Sequence, residues 1–313
     1  MPLEPLDEVE LPVIVYNLAV SDDDTYVYGL SSTTLYQLLA SDMSIVDSVV
    51  VSSGTSDHLT VSHNGSYVYV CDYDNVYKVQ TSDMTLALTC AITGRSGSGV
   101  AVDSSGTYVY AATVQAIGGL ANVYKIQTSN MSIVGTYNWN DVQGAMEIAI
   151  SSDDLYVYSS GPKIVSPARS ATIRKIRTSN MTLVTSYTNA TYVEQVGSIQ
   201  YVGGYVYVAD YYAKTLLKFS ADLDLIKANT GYTTGPSDIQ SAVSTRLYVY
   251  ANSAVYFMNS LDLTVEETLV NSASRAPRGE NLYSSFTDKK VKKDKKADLT
   301  PAPITVLFHG SYF

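Results

Sequence analysis

Apolar and polar positions alternate along this chain in short bursts, not in long amphipathic stretches. Runs such as LAV at 18–20, YVYGL at 26–30 and SIVDSVV at 44–50 are strand-length, and clusters of Asp, Asn, Ser and Gly separate them. Period-two bursts bounded by turn formers predict strands, and no 3.6-residue periodicity competes with them.

The bursts recur. The phrase Tyr-Val-Tyr stands at Tyr26, Tyr67, Tyr108, Tyr156, Tyr205 and Tyr248. Each copy follows a polar turn (SDDD at 21, SHNG at 62, DSSG at 103, SSDD at 151), and a short apolar run precedes each turn. After it come a loop, a strand of the YKI type, a turn at Asp42, Asp83, Asn130, Asn180, Asp222 or Asp262, and a last strand. Each unit therefore predicts four short strands joined by turns, the pattern of a β-propeller blade. A blade sheet is covered on both faces by its neighbours. Tyr-Val-Tyr then turns its tyrosines to one side and its valine to the other, and the hydroxyls need partners at the blade edges or in water.

Six units are explicit, within residues 1–279. Residues 280–313 form either a degenerate seventh blade or a basic tail. Counting back by one unit places a fourth strand near residues 3–10, so the expected fold is an all-β propeller of seven four-stranded blades closed by an N-terminal strand. Six blades plus a C-terminal tail is the alternative. The predicted second strand of blade seven falls on KKVKKDKK at 289–296, a poor candidate for burial on two faces. In the six-blade case PITVLF, at 303–308, is free to add as a strand to a neighbouring subunit.

Composition agrees with a β protein and narrows its function. Charged residues are 16% of the 313, tyrosine numbers 27, and the net charge is −10. The last 25 residues carry six lysines against two aspartates, leaving −14 on the first 288. An acidic body argues against nucleic-acid binding, and no apolar run is long enough for a membrane span. Two cysteines, Cys71 and Cys90, read as small buried residues rather than a disulfide framework. The start, MPLEPLDEVELP, lacks the basic-then-apolar order of a secretory signal.

The run YVYVADYYAKTLLKF at 205–219, with VYKIQTSNMSIV and YVYVCDYDNVYKVQTSDM, resembles the Tyr-Val-Thr-Asn (YVTN) propeller repeats of surface-layer proteins. The resemblance covers residues 1 to about 272 and implies a propeller fold. Asp or Ser stands where the family has Asn.

Candidate chemistry is sparse. The middles of the first strands (Ala19, Thr60, Ala101, Ala149, Gln200 and Ala242) are small or neutral and offer no carboxylate pair or His cluster at the channel. His58 is placed before one such strand and His63 in the turn after it, too far apart to share a metal. DYDN at 72–75 has the oxygen density of a weak calcium loop but sits where a tight turn belongs. The expected protein is therefore not an enzyme and has no cofactor and no metal site. The third and fourth units carry longer loops before the YKI strand, TVQAIGGLAN from 113 and SSGPKIVSPARSAT from 159. The sole tryptophan lies in NWND at 138–141. Together these predict a loop-face binding patch of Gln115, Trp139, Asn140, Asp141, Lys163, Arg169 and Tyr192, with Trp139 as an exposed anchor. A surface-like composition without an export signal suits a component of a virus particle (capsid decoration, spike or host attachment). A cell-surface adhesin is the second reading and a propeller lyase or lactonase the third. Expected partners are other structural proteins of the particle or surface, glycans, and further copies of the chain.

Overall fold

The computed structural model describes residues 15–270 apart from positions 16, 53–55, 93–96, 114–120, 140–146, 166–167, 190, 195, 231, 234, 237, 244–245, 252–253 and 261. The proposed N-terminal strand at 3–10 and the segment 280–313 lie outside the described residues.

The described chain is all-β and propeller-like: six four-stranded sheets, every strand antiparallel to its chain neighbour. The first comprises β1 (Asn17–Val20), β2 (Tyr26–Leu30), β3 (Thr34–Leu39) and β4 (Ile45–Val50). The second has β5 (Ser56–Val61), β6 (Tyr67–Asp72), β7 (Asn75–Gln80) and β8 (Thr85–Ala91). The third has β9 (Gly97–Val102), β10 (Tyr108–Thr113), β11 (Ala121–Gln127) and β12 (Ser132–Trp139). The fourth has β13 (Glu147–Ile150), β14 (Tyr156–Val165), β15 (Ala168–Arg177) and β16 (Thr182–Thr188). The fifth has β17 (Val196–Val202), β18 (Tyr205–Asp210), β19 (Thr215–Ser220) and β20 (Leu225–Asn229). The sixth has β21 (Asp238–Val243), β22 (Arg246–Ala251), β23 (Ala254–Asn259) and β24 (Val265–Val270). The first strands β1, β5, β9, β13, β17 and β21 pack on one another in that order, so they form the inner edge.

Burial follows the expected two-faced pattern. Val27, Val68, Val109, Val157 and Val206 are fully buried. Tyr28, Tyr69, Tyr110, Tyr158 and Tyr207 are among the largest buried side chains. Apolar clusters fill each gap between consecutive sheets, from the first pair to the fifth. A sixth cluster, Val15, Leu18, Val27, Leu38, Ala40 and Met43, belongs to the first sheet alone, on its opposite side. The sixth Tyr-Val-Tyr is out of phase with the others. Tyr248 pairs with Phe257 as Tyr207 pairs with Lys218, so it stands where the second tyrosine of the other sheets stands.

The turns between third and fourth strands share one form. In sheets one, three and six the Asx side chain accepts the amide two residues on: Ser44 N to Asp42 Oδ1 (2.9 Å), Ser132 N to Asn130 Oδ1 (3.1 Å) and Thr264 N to Asp262 Oδ1 (3.0 Å). In sheets two and four it accepts the hydroxyl of Thr85 or Thr182 (2.7 Å each), and in sheet five Ser220 Oγ accepts Asp224 N (3.1 Å). The residue after the Asx takes the left-handed conformation: Met43, Met84, Met131, Met181, Leu223 and Leu263 have φ between 45° and 64°. These side chains are buried under the turn. That contact sustains a conformation β-carbons disfavour. A β-bulge in each third-to-fourth strand pairing follows the same position, as between Lys78 and Val79 and between Lys125 and Ile126.

Candidate functional site

The repeated phrases first serve the scaffold. In sheets two to five a lysine on the third strand crosses to the next sheet. Lys78 Nζ donates to Thr128 O (2.9 Å), Lys125 to Thr178 O (2.9 Å), Lys175 to Asp222 Oδ1 (2.8 Å) and Lys218 to Ser260 O (2.8 Å). Each ammonium also sits 3.9 Å from a ring centroid of its own sheet: Tyr67, Tyr108, Tyr156 and Tyr205. Lys78, Lys175 and Lys218 are buried, and desolvation pulls Lys78, Lys125 and Lys218 below the usual lysine range. The second tyrosine of each sheet reaches the same turn. Tyr158 donates to Ala221 O (2.7 Å) and Tyr207 to Ser260 O (2.6 Å), while Tyr69 and Tyr110 meet the side chains of Thr128 and Thr178. Burial pushes the Tyr69 hydroxyl up to about 12. In the first sheet Gln37 replaces the lysine and reaches Thr81 O at 3.3 Å. The receiving threonines are tied down in turn: Thr128 Oγ1 donates to Gly106 O and Thr178 Oγ1 to Asp154 O. In the sixth sheet Phe257 occupies the lysine's register position and Arg246 that of the first tyrosine.

The predicted loop-face patch is only partly assembled. Gln115, Asn140 and Asp141 lie outside the described residues. Trp139 is no exposed anchor: it is 1% accessible, packed between the third and fourth sheets. Arg174 on β15 covers it, with the guanidinium carbon 4.2 Å from the ring centroid, and donates to Tyr137 Oη at 2.8 Å. Indole is large and apolar, so closing the sheet end over it removes more surface from water than leaving it out. The expected loop around Lys163 and Arg169 is a strand extension instead. Lys163 pairs with Ser170 and Arg169 with Ile164, near the tip of the β14–β15 hairpin. Past the Gly161–Thr172 pair, four more steps carry the hairpin about 13 Å outward at the usual strand rise. Tyr192 is half-buried beside the cluster between the fourth and fifth sheets, and its carbonyl accepts Thr215 Oγ1 at 2.7 Å. Lys163, Arg169 and Tyr192 are therefore spread over a hairpin tip and a packed turn.

The inner edge holds a titratable pair, contrary to the expectation of none. His58 lies inside β5, not before it, and its Nε2 is 4.0 Å from Glu147 Oε1 at the start of β13. Here a residue of sheet two approaches one of sheet four, and β9 of the third sheet stands between β5 and β13 in the order of the inner edge. The two side chains are 18% and 13% exposed. Desolvation lowers the imidazole to about 4, so His58 is neutral at pH 7. The sequence signal was a glutamate and a histidine at the entry of two first strands. Both lie outside the strand middles, and the sequence paired His58 with His63 instead of with Glu147. Among the described residues no group of three or more His, Cys, Asp and Glu is placed to hold a metal.

Other candidates resolve into structure. Asp72 of DYDN accepts the amides of Asp74 (3.0 Å) and Asn75 (2.8 Å) and the hydroxyls of Ser52 (2.6 Å) and Tyr77 (2.8 Å), so its oxygens already have donors. His63 Nδ1 lies 2.8 Å from Asp22 Oδ2 at the surface. Cys71 and Cys90 are buried thiols outside any disulfide.

No family model matches this chain, and no curated protein matches it. Among solved structures it is similar to a chain of the Kuenenia stuttgartiensis hydrazine synthase, with a TM-score of 0.68 at 16% identity, covering 82% of this chain and 79% of that one. At that identity the likeness shows the fold alone.

Proposed function

We propose that this chain is a non-catalytic structural and binding propeller of a surface-exposed assembly, in the first instance a virus particle. One observation carries the reading. The outermost strand of each of the first five sheets exposes aliphatic side chains: Val46 and Val50 on β4, Leu86 and Leu88 on β8, Ile133 and Val134 on β12, Leu183 and Val184 on β16, and Ile226 on β20. An aliphatic band repeated around a rim is the surface of a protein that packs against others. The sparse charge and the sheet-to-sheet staples suit a rigid part more than a moving one.

Seven blades fit the ring better than six. The outer face of the first sheet is buried at Val15, Leu18, Val27 and Leu38. Yet among the described residues no neighbouring sheet packs there, and β21 makes no packing with β1 comparable to that of the other first strands. The chain ends are the available material for a seventh blade in that place.

Cross-linking with mass spectrometry on the native particle or envelope tests the assembly reading. Cross-links from the loops flanking the outer strands to other structural proteins are expected. A chain recovered only as a free cytosolic protein, absent from any assembly, overturns it.

A further inference from the structure

Six copies of one sheet allow each position to be compared with its equivalents. Beside the position of the stapling lysine, the cross-strand pair is Gly29–Tyr36 in sheet one, Val70–Tyr77 in sheet two and Ala111–Tyr124 in sheet three. It is Val208–Leu217 in sheet five and Val249–Tyr256 in sheet six. Sheet four alone sets a polar pair there, Ser159 opposite Arg174. In sheets two, three and five this pair belongs to the cluster packed on the preceding sheet, so Ser159 and Arg174 face sheet three. Sheet three meets them with Trp139, whose ring centroid is 4.2 Å from the guanidinium carbon. The three side chains are 0%, 6% and 1% exposed. Ser159 Oγ and Trp139 Nε1 are buried with no hydrogen-bond partner. Leaving such groups unpaired is costly, and the scaffold does not call for them, because the other five sheets fill this position without a charged side chain or a hydroxyl on the second strand.

We propose that the gap between blades three and four holds a binding site for a small carboxylate, built from Arg174, Ser159 and Trp139. The chemistry follows from the donor set. An indole N–H and a guanidinium only donate, and a serine hydroxyl donates as readily as it accepts. A site made of donors takes an acceptor. A carboxylate supplies two oxygens in the plane that a guanidinium fork matches, and it brings the charge that a buried arginine needs. The geometry is held in place: Arg174 donates to Tyr137 Oη at 2.8 Å, which fixes the guanidinium over the indole, and β-strand pairing sets the Ser159 and Arg174 β-carbons about 5 Å apart. The rest of the same cluster is apolar, with Ala112, Ala121 and Ile148. Those neighbours suit the methyl group of acetate and reject an acid with a polar tail. The site does not depend on the assembly reading.

The chain has one tryptophan, so its ¹H–¹⁵N spectrum holds one indole resonance, and that proton is a donor of the proposed site. The full chain is titrated with sodium acetate and, separately, with sodium chloride at equal ionic strength. The indole proton should move downfield and saturate in acetate, and should stay in place in chloride. Ser159→Ala gives sheet four the side chain that sheet three has at Ala111, and Arg174→Leu the one that sheet five has at Leu217, so both suit the fold. Each removes a donor to a charged acceptor and should raise the acetate Kd at least about tenfold. Arg177→Gln, which removes an exposed cation from the end of the same strand, should titrate as the parent does. Circular dichroism identical to the parent shows that the variants fold, and the contrast between acetate and chloride on the parent decides the matter even where one does not. An indole proton that stays still in acetate overturns the proposal, and an exchange peak between it and water would show that water meets the donors instead. Equal movement in the two salts, or an unchanged acetate Kd in both Ser159→Ala and Arg174→Leu, overturns it as well.

Discussion

Replacing Lys78 with Met tests whether the inter-blade staple stabilises the ring. The substitution keeps the aliphatic stem and removes the ammonium. It deletes the 2.9 Å bond to Thr128 O and the contact 3.9 Å above Tyr67. A hydrogen bond from a charged donor contributes about 1.5–3 kcal/mol, and a desolvated cation–π contact about 1–2 kcal/mol. Against these stands the cost of keeping a charge in a site where Lys78 is 8% exposed, a cost visible in its lowered pKa. The bonds outweigh it, because the ammonium has a carbonyl and an aromatic face aimed at it. The net loss should be about 2 kcal/mol, read by urea unfolding, with a fall in Tm of about 4–8 °C for a chain of this size. Tyr69→Phe, which removes the hydroxyl meeting Thr128, should cost about 1 kcal/mol. Both changes strike the same turn of the next blade, so the double variant should depart from additivity by about 0.5 kcal/mol or more. A Lys78→Met protein as stable as the parent, or strictly additive losses, would refute the staple: the lysine would then be a tolerated charge and the tyrosine mere filling.

Four further outcomes follow from the geometry. His58 has a folded-state pKa of about 4 against 6.5 for an exposed imidazole. Between those values the unfolded chain binds a proton that the folded chain refuses, so stability is complete above pH 6.5 and falls as pH drops towards 4. The loss is at most about 3 kcal/mol and is reduced by Glu147 at 4.0 Å. His58→Asn should flatten that limb, and an imidazole titrating by NMR at 6.5 or above would contradict the burial. Asp23, Asp42 and Asp262 are held below the usual carboxylate range by hydroxyl and amide donors of their own turns, so their contribution is present at neutral pH and lost only below about pH 4. Gly135→Ala would set a β-carbon 2.7 Å from Met181 Cγ, which should cost about 1–2 kcal/mol by overpacking, whereas Gly65→Ala meets open space and pays only for its φ of +69°. The sole tryptophan is buried, so native fluorescence should be blue-shifted and slow to quench with acrylamide, and a red-shifted, fast-quenched signal would restore Trp139 to the surface.

The fold was legible because its signals are local. Turn residues, period-two bursts and a repeat of 41 to 49 residues between successive Tyr-Val-Tyr phrases each act within one blade. What escaped depends on contacts between blades. Lys78, Lys125, Lys175 and Lys218 interrupt otherwise apolar third strands, and their partners lie 42 to 53 residues away. Trp139 looked exposed because polar residues flank it, but Arg174, 35 positions on by residue number, closes over it. The insertion at 159–172 read as a loop because Gly161, Pro162, Ser166 and Pro167 punctuate it, yet β14 runs through Gly161 and Pro162 and stays paired as far as Val165 with Ala168. His58 and Glu147 sit 89 positions apart and meet through the packing of β5 and β13 on either side of β9.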